Sequence, residues 1–144
     1  MSSLSGTRTE DNLKRALAAE SEAATRYFHF AQEAEIEGRP EAASLFRSLA
    51  ERERGRAVGL LELLVDAGDP TTGLPMTSTD EQLRSAIAAE EAEAAGMYPE
   101  MVATARDEGL GEVADWLARL AEAAQGNAER LRELLDDDGA ASAS

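Results

Sequence analysis

The sequence predicts an all-α protein, two antiparallel helical hairpins forming one four-helix bundle. Three observations predict it. The 144 residues are 43% hydrophobic but only 4% aromatic, and the abundance of Ala, Leu, Glu and Arg favours helix over sheet. Apolar residues recur at helical spacing along four long stretches bounded by Gly and Pro. The second half also repeats the first. "EDNLKRALAAESEA" from Glu10 resembles "DEQLRSAIAAEEAE" from Asp80, 70 residues on, and "EGRPEAASLFRSLAE" from Glu37 resembles "EGLGEVADWLARLAE" from Glu108, 71 residues on. Each copy is a pair of helical segments.

The elements follow in order. Helix A runs from about Thr9 to Glu37 and stops at Gly38, just before Pro40. Helix B runs from about Pro40 to Ala67 and ends at Gly68. The connector "GDPTTGLPMTS" is the one long link. Fully extended it spans roughly 35 Å, the length of a helix of about 24 residues. It can return along the bundle or carry the second hairpin to another subunit, a domain swap. Helix C starts near Thr79 with a capping-box pattern, Thr79-Asp-Glu-Gln82, and reaches about Glu108. Pro99 interrupts it, so a kink or local widening is expected there. Helix D runs from about Gly111 to Leu135. Residues 1–8 and the acidic, small-residue tail 136–144 lack periodicity and are expected to be loose, flanking one domain at 9–135.

Charge and composition narrow the function. A formal charge of −15 repels nucleic acid and anionic lipid. Lys14 is the only lysine against thirteen arginines. Cysteine is absent, which removes disulfides and thiolate metal sites. No apolar run approaches ~18 residues and no signal pattern opens the chain. The expectation is a cytoplasmic protein without membrane insertion.

The polar residues on the apolar stripes carry the functional argument. By period, the stripe of helix A is Leu13, Leu17, Glu20, Ala24, Tyr27, Ala31, Ala34, and that of helix B is Phe46, Leu49, Glu53, Arg56, Leu60, Leu63. Helix C gives Leu83, Ala86, Glu90, Glu93 (or Ala94), Met97, Met101, and helix D gives Val113, Leu117, Leu120, Ala124, Asn127, Leu131, Leu134. Three of the four stripes therefore carry glutamate at mid-helix. A buried carboxylate costs several kcal/mol, on the order of the penalty for any isolated buried ion, unless it is protonated, paired or metal-bound. A carboxylate metal site in a bundle core supplies the rationale; its full form takes one Glu from each of two helices and Glu-x-x-His from each of the others. Glu20 and Glu90 fill the single-Glu positions. Glu53-x-x-Arg56 and Ala124-x-x-Asn127 stand at the Glu-x-x-His positions, both without histidine.

At this point the chain resembles the rubrerythrins of the ferritin-like superfamily, over about Thr9 to Leu135. The likeness lies in "TEDNLKRALAAE", "RYFHFAQEAEIEG", "LFRSLAERE", "GDPTTGLP", "EQLRSAIAAEEAE", "MYPEM" and "ADWLARLAEAA". It implies a four-helix bundle, dimeric and in some members domain-swapped, whose non-haem diiron centre reduces hydrogen peroxide with electrons from a rubredoxin domain. Residue by residue, Glu20, Glu53, Glu90 and Glu93 match iron-ligand glutamates, and Tyr27 and Tyr98 match tyrosines near the metal. Arg56 stands at the family's helix B histidine; Ala124 and Asn127 stand at its helix D glutamate and histidine.

The expectation is therefore a degenerate diiron site in a non-catalytic module for assembly or protein binding, with Arg56 neutralising the leftover carboxylates and no cofactor. The alternative is an iron or manganese oxidoreductase that handles peroxide or oxygen through the four glutamates. The expected partner is a second copy or a larger protein assembly. His29, the only histidine, lies off the stripe and is expected in solvent or at an interface. Trp116 is expected at a helix or subunit contact, and Met97 and Met101 in the core beside Pro99.

Overall fold

A computed structural model describes the backbone of residues 3–143 and the side chains of residues 3–138. The described chain is helical: α1 (Arg8–Ile36), α2 (Pro40–Leu64) with a 3-10 turn (Val65–Ala67), α3 (Thr79–Ala92), a π turn (Glu93–Met97), α4 (Tyr98–Asp107) and α5 (Gly111–Ala143). Predicted helices A and B are α1 and α2, helix C is α3 to α4, and helix D is α5. The chain divides into two compact units, Met1–Pro70 and Thr71–Ser144. Each is a hairpin, with α1 on α2 in the first and α3 and α4 on α5 in the second.

The two hairpin turns are the same structure written twice. At the end of α1, Gly38 N–H donates to Glu35 O (3.1 Å) and Arg39 N–H to Ala34 O (2.8 Å). At the end of α4, Gly109 N–H donates to Arg106 O (3.0 Å) and Leu110 N–H to Ala105 O (2.8 Å). Both satisfy the last helical carbonyls in the same way, and both need a left-handed residue, supplied by Gly38 (φ 74°) and Gly109 (φ 77°). The next helix then starts at once, and two helices joined so closely must run antiparallel.

Small residues hold each hairpin together. The buried line of α2 is Ala43, Ala50, Ala57 and Leu64, one residue every seven. On α5 the same residue types recur at Ala114, Ala121, Ala128 and Leu135, of which Ala114 and Ala128 are fully buried. On α1 the buried residues are Ala31 and Ala34. Methyl groups at the closest approach let the backbones come near and make many weak contacts. This seam corrects part of the stripe read from α2 and α5, while Ala124 on the α5 stripe is buried as expected. Period places Leu63, Arg56, Val113, Leu134 and Asn127 in the core; they are exposed. The small-residue seam lies beside the stripe of larger residues, and antiparallel packing puts alanine at the contact line. Met97 and Met101, expected in the core, are likewise partly exposed.

The expected widening before Pro99 is the π turn. Tyr98 N–H donates to Glu93 O, five residues back, so the next helical segment begins with Pro99 in its first turn, where a missing N–H costs nothing. The π turn also accounts for the change in repeat spacing. Glu20 and Glu90 are 70 residues apart, whereas Tyr27 and Tyr98, like Ala34 and Ala105, are 71 apart. A π turn accommodates one extra residue while both flanking helices keep their faces, and the extra residue lies between Glu90 and Tyr98.

Two boundaries differ from expectation. The α3 cap sits one residue early: Ser78 is extended (φ −133°) and its Oγ accepts from Glu81 N–H (3.2 Å). The Glu81 carboxylate reaches back to accept from both the hydroxyl and the N–H of Thr77, each at 2.7 Å. At the other end, the α5 backbone stays helical past Leu135 to Ala143. The helix is already nucleated upstream, so adding residues to its end costs far less than starting a new one, even through Asp136–Asp138.

The Thr77 hydroxyl first, then its N–H, hold the Glu81 carboxyl below the usual carboxylate range. A lowered folded-state pKa adds stability above the unfolded value of about 4.3, and that stability is lost as pH falls through the folded value. Glu81→Gln should therefore unfold at lower urea than the parent at pH 7. The gap should shrink once the pH drops below about 4, where the parent loses the same charge.

Candidate functional site

Each hairpin carries one half of the predicted constellation. In the first, Glu20 sits mid-way along α1, half-buried, with its Oε2 out of solvent and without a hydrogen-bond partner. Glu53 on α2 has a side chain only 14% exposed, and its Oε1 lies 3.5 Å from Nη1 of Arg56. Arg56 is itself 65% exposed. It comes back one helical turn and covers Glu53 from the solvent side, as a long side chain can when its stem lies on the helix and its head stays wet.

Tyr27, half-buried on α1, stacks on Phe46 of α2 at 6.1 Å between ring centroids, and Phe30 meets Phe46 edge-on at 5.5 Å. This aromatic cluster pins α1 to α2 beside the glutamates. The spacing of Tyr27 and Phe30 on one helix, with Phe46 just past a short turn, could have announced it. His29 is exposed.

In the second hairpin, Glu90 of α3 accepts a 3.4 Å hydrogen bond from Asn127 Nδ2 of α5. Asn127 thus does for Glu90 what Arg56 does for Glu53: the residue at each predicted histidine position supplies a donor to a carboxylate. Glu93 opens the π turn and is half-buried, as is Tyr98 at its close. Ala124, opposite in the repeat to Glu53, is a buried methyl on α5. One charged contact was not foreseen. Glu91, next to Glu90, forms an ion pair with Arg132, which ties α3 to α5 on the outer side; nothing in the spacing of the two residues marks it. Trp116 is exposed and lies under the Arg119 guanidinium, 5.9 Å from the ring centroid.

As a donor set, these residues are carboxylates with a guanidinium and an amide. Among the described residues no three His, Cys, Asp or Glu side chains gather as a metal-holding group, and no helix is long and apolar enough to cross a membrane. Arg56 and Asn127, at the positions where histidine is expected, carry no imidazole nitrogen, the ligand that joins carboxylate in the 2-His-1-carboxylate iron sites.

Comparison with known proteins identifies the family. The rubrerythrin family model matches residues 11–135. The chain belongs to the rubrerythrin family. It is 35% identical over 138 residues to the rubrerythrin of Porphyromonas gingivalis, covering 92% of this chain and 68% of that one. It is 34% identical over 136 residues to the rubrerythrin of Nitratidesulfovibrio vulgaris, covering 91% and 71%. Among solved structures, the partially reduced state of nigerythrin is 29% identical, with 97% of this chain and 73% of that one covered, at a TM-score of 0.45. The rubrerythrin match spans both hairpins, so all of Glu20, Glu53, Glu90, Glu93, Arg56, Ala124 and Asn127 fall inside it.

Proposed function

We propose that this rubrerythrin-family chain is a non-catalytic helical module, cytoplasmic and self-associating or part of a larger protein assembly, whose diiron site has lost three ligands. The ion pair of Arg56 with Glu53 carries the reading. A guanidinium stays charged at any relevant pH. Placed at Glu53 it neutralises the carboxylate that a metal would otherwise neutralise, and it opposes a divalent cation by like charge. Asn127 supports Glu90 in the corresponding place, though at 3.4 Å the bond is long. The donors present do not fit the family's diiron centre, and no step of peroxide reduction is assigned to them. Protein purified from iron-supplemented cells should carry well under one iron per chain. Stoichiometric, tightly bound iron together with peroxide turnover overturns the proposal.

One observation favours a second reading. The Glu20 Oε2 is buried without a partner, and a bound cation is one way to satisfy it. In that reading Glu20, Glu53, Glu90 and Glu93 hold iron or manganese beside Tyr27 and Tyr98, and the protein is an oxidoreductase acting on peroxide or oxygen. Glu53→Ala should then abolish metal binding and turnover together. Undiminished metal in that variant removes this reading.

A further inference from the structure

Cysteine is absent and the chain carries four methionines, so thioethers are its side chains most open to oxidation. Met97, the last residue of the π turn, and Met101 of α4 are four residues apart and share one helical face. They are 39% and 44% exposed, whereas Met76 in the connector is 7% exposed. Two cavities of the second hairpin meet at Met97. One, of about 450 Å³ between α4 and α5, has Met97, Met101, Leu110, Val113 and Leu117 among its walls. The other, of about 370 Å³, lies between the connector and α3, with Thr72, Ala88, Ala92 and Met97 among its walls. Met97 is the one residue the two cavities share. Its side chain therefore borders open space on two sides, room for a small oxidant to arrive and for an added oxygen to stay.

We propose that Met97 and Met101 form a reversible oxidation site, at which hydrogen peroxide turns thioether into sulfoxide and loosens the π turn and α4 from α5. The sulfur lone pair attacks one peroxide oxygen, and the S–O bond forms as the O–O bond breaks. The departing hydroxide takes the proton of the transferred oxygen and leaves as water. Sulfur is oxidised by two electrons and the peroxide is reduced by the same two. Peroxide is the only co-reactant, so the site is independent of either reading of the carboxylates. The product is polar and chiral where the thioether was flexible and apolar. Both sulfoxides would face the wall of Leu110, Val113 and Leu117, on the side where the π turn and α4 pack on α5. An apolar wall loses its partner there, and the contact weakens. Met76, buried in the connector of the same unit, is the internal control.

The test is peptide mass mapping of the folded full chain during treatment with hydrogen peroxide, followed by thermal melting monitored by circular dichroism. Met97 and Met101 should each gain one oxygen roughly tenfold or more faster than Met76. The oxidised chain should melt about 2 °C or more below the untreated one. Methionine sulfoxide reductases acting on both epimers should return the melting temperature to its starting value. Met97→Leu/Met101→Leu keeps the apolar wall and removes both sulfurs, and its melting temperature should not respond to the same treatment. Oxidation of Met76 as fast as Met97 and Met101 overturns the proposal. An oxidised parent that melts unchanged, or one that the reductases do not restore, also overturns it. So does a double variant that peroxide destabilises as much as the parent, since the effect then belongs to another residue.

Discussion

Leu64→Ala should lower the unfolding free energy by about 3–4 kcal/mol, read from the urea midpoint at constant m-value. Leu64 is fully buried, the one large side chain in the α2 seam of Ala43, Ala50 and Ala57. It closes the open end of the hairpin, where the 3-10 turn begins and no loop holds the helices together. Truncation removes the transfer free energy of the side chain and leaves a cavity, which the surrounding methyls are too short to fill. The neighbouring change, Leu63→Ala, should cost roughly 1 kcal/mol or less, because Leu63 is 60% exposed. The pair decides between two seams. If Leu63→Ala is the costlier substitution, the period-based stripe is the true core of α2 and the alanine seam is not.

That contrast shows what was legible in the residues and what was not. Helix positions, both hairpin turns and the disturbance at Pro99 were legible because Gly38, Gly109 and Pro99 act through their own backbone chemistry, independent of neighbours. The all-helical class and the repeat were legible for the same local reasons. The seam of α2 and α5 was not. Each helix offers two adjacent seven-residue lines, one of leucines with polar interruptions and one of alanines. Periodicity favours the larger residues, whereas close antiparallel packing selects the smaller. In α1 the two coincide, with Ala31 and Ala34 on the predicted stripe, and there the reading held. At the site, the residue types on the stripe were readable, and so was the pairing of Glu53 with Arg56 one turn away. The position of the Arg56 head was not, because its Cα sits by the seam while its flexible stem carries the charge to water. The one-residue offset of the α3 cap has a similar origin. Ser78 and Thr79 are both good N-caps, and Glu81, reaching Thr77, favours Ser78.

The second large effect concerns the site. Arg56→His, Ala124→Glu and Asn127→His together rebuild both Glu-x-x-His motifs, remove one cation and add one carboxylate. The apo variant should be less stable than the parent. Ala124 is 3% exposed, and a larger, charged side chain at a buried position costs about 1–3 kcal/mol from overpacking alone, with desolvation added. Metal should then repair what the substitution damages, since a ligand held only by the folded state at 100 times its Kd adds about 2.7 kcal/mol. The expected result is a chain whose bound iron rises from well under one towards two and whose melting temperature falls on addition of a chelator. On the metal-free reading, in which Arg56 neutralises Glu53 in place of a metal, the parent's melting temperature should not respond to the chelator. Arg56→His alone should stay nearly iron-free, since the second hairpin would still offer Ala124 and Asn127. A parent destabilised by the chelator contradicts the metal-free reading. A triple variant that folds but takes up no iron contradicts the reading of Glu53-x-x-Arg56 and Ala124-x-x-Asn127 as eroded ligand motifs.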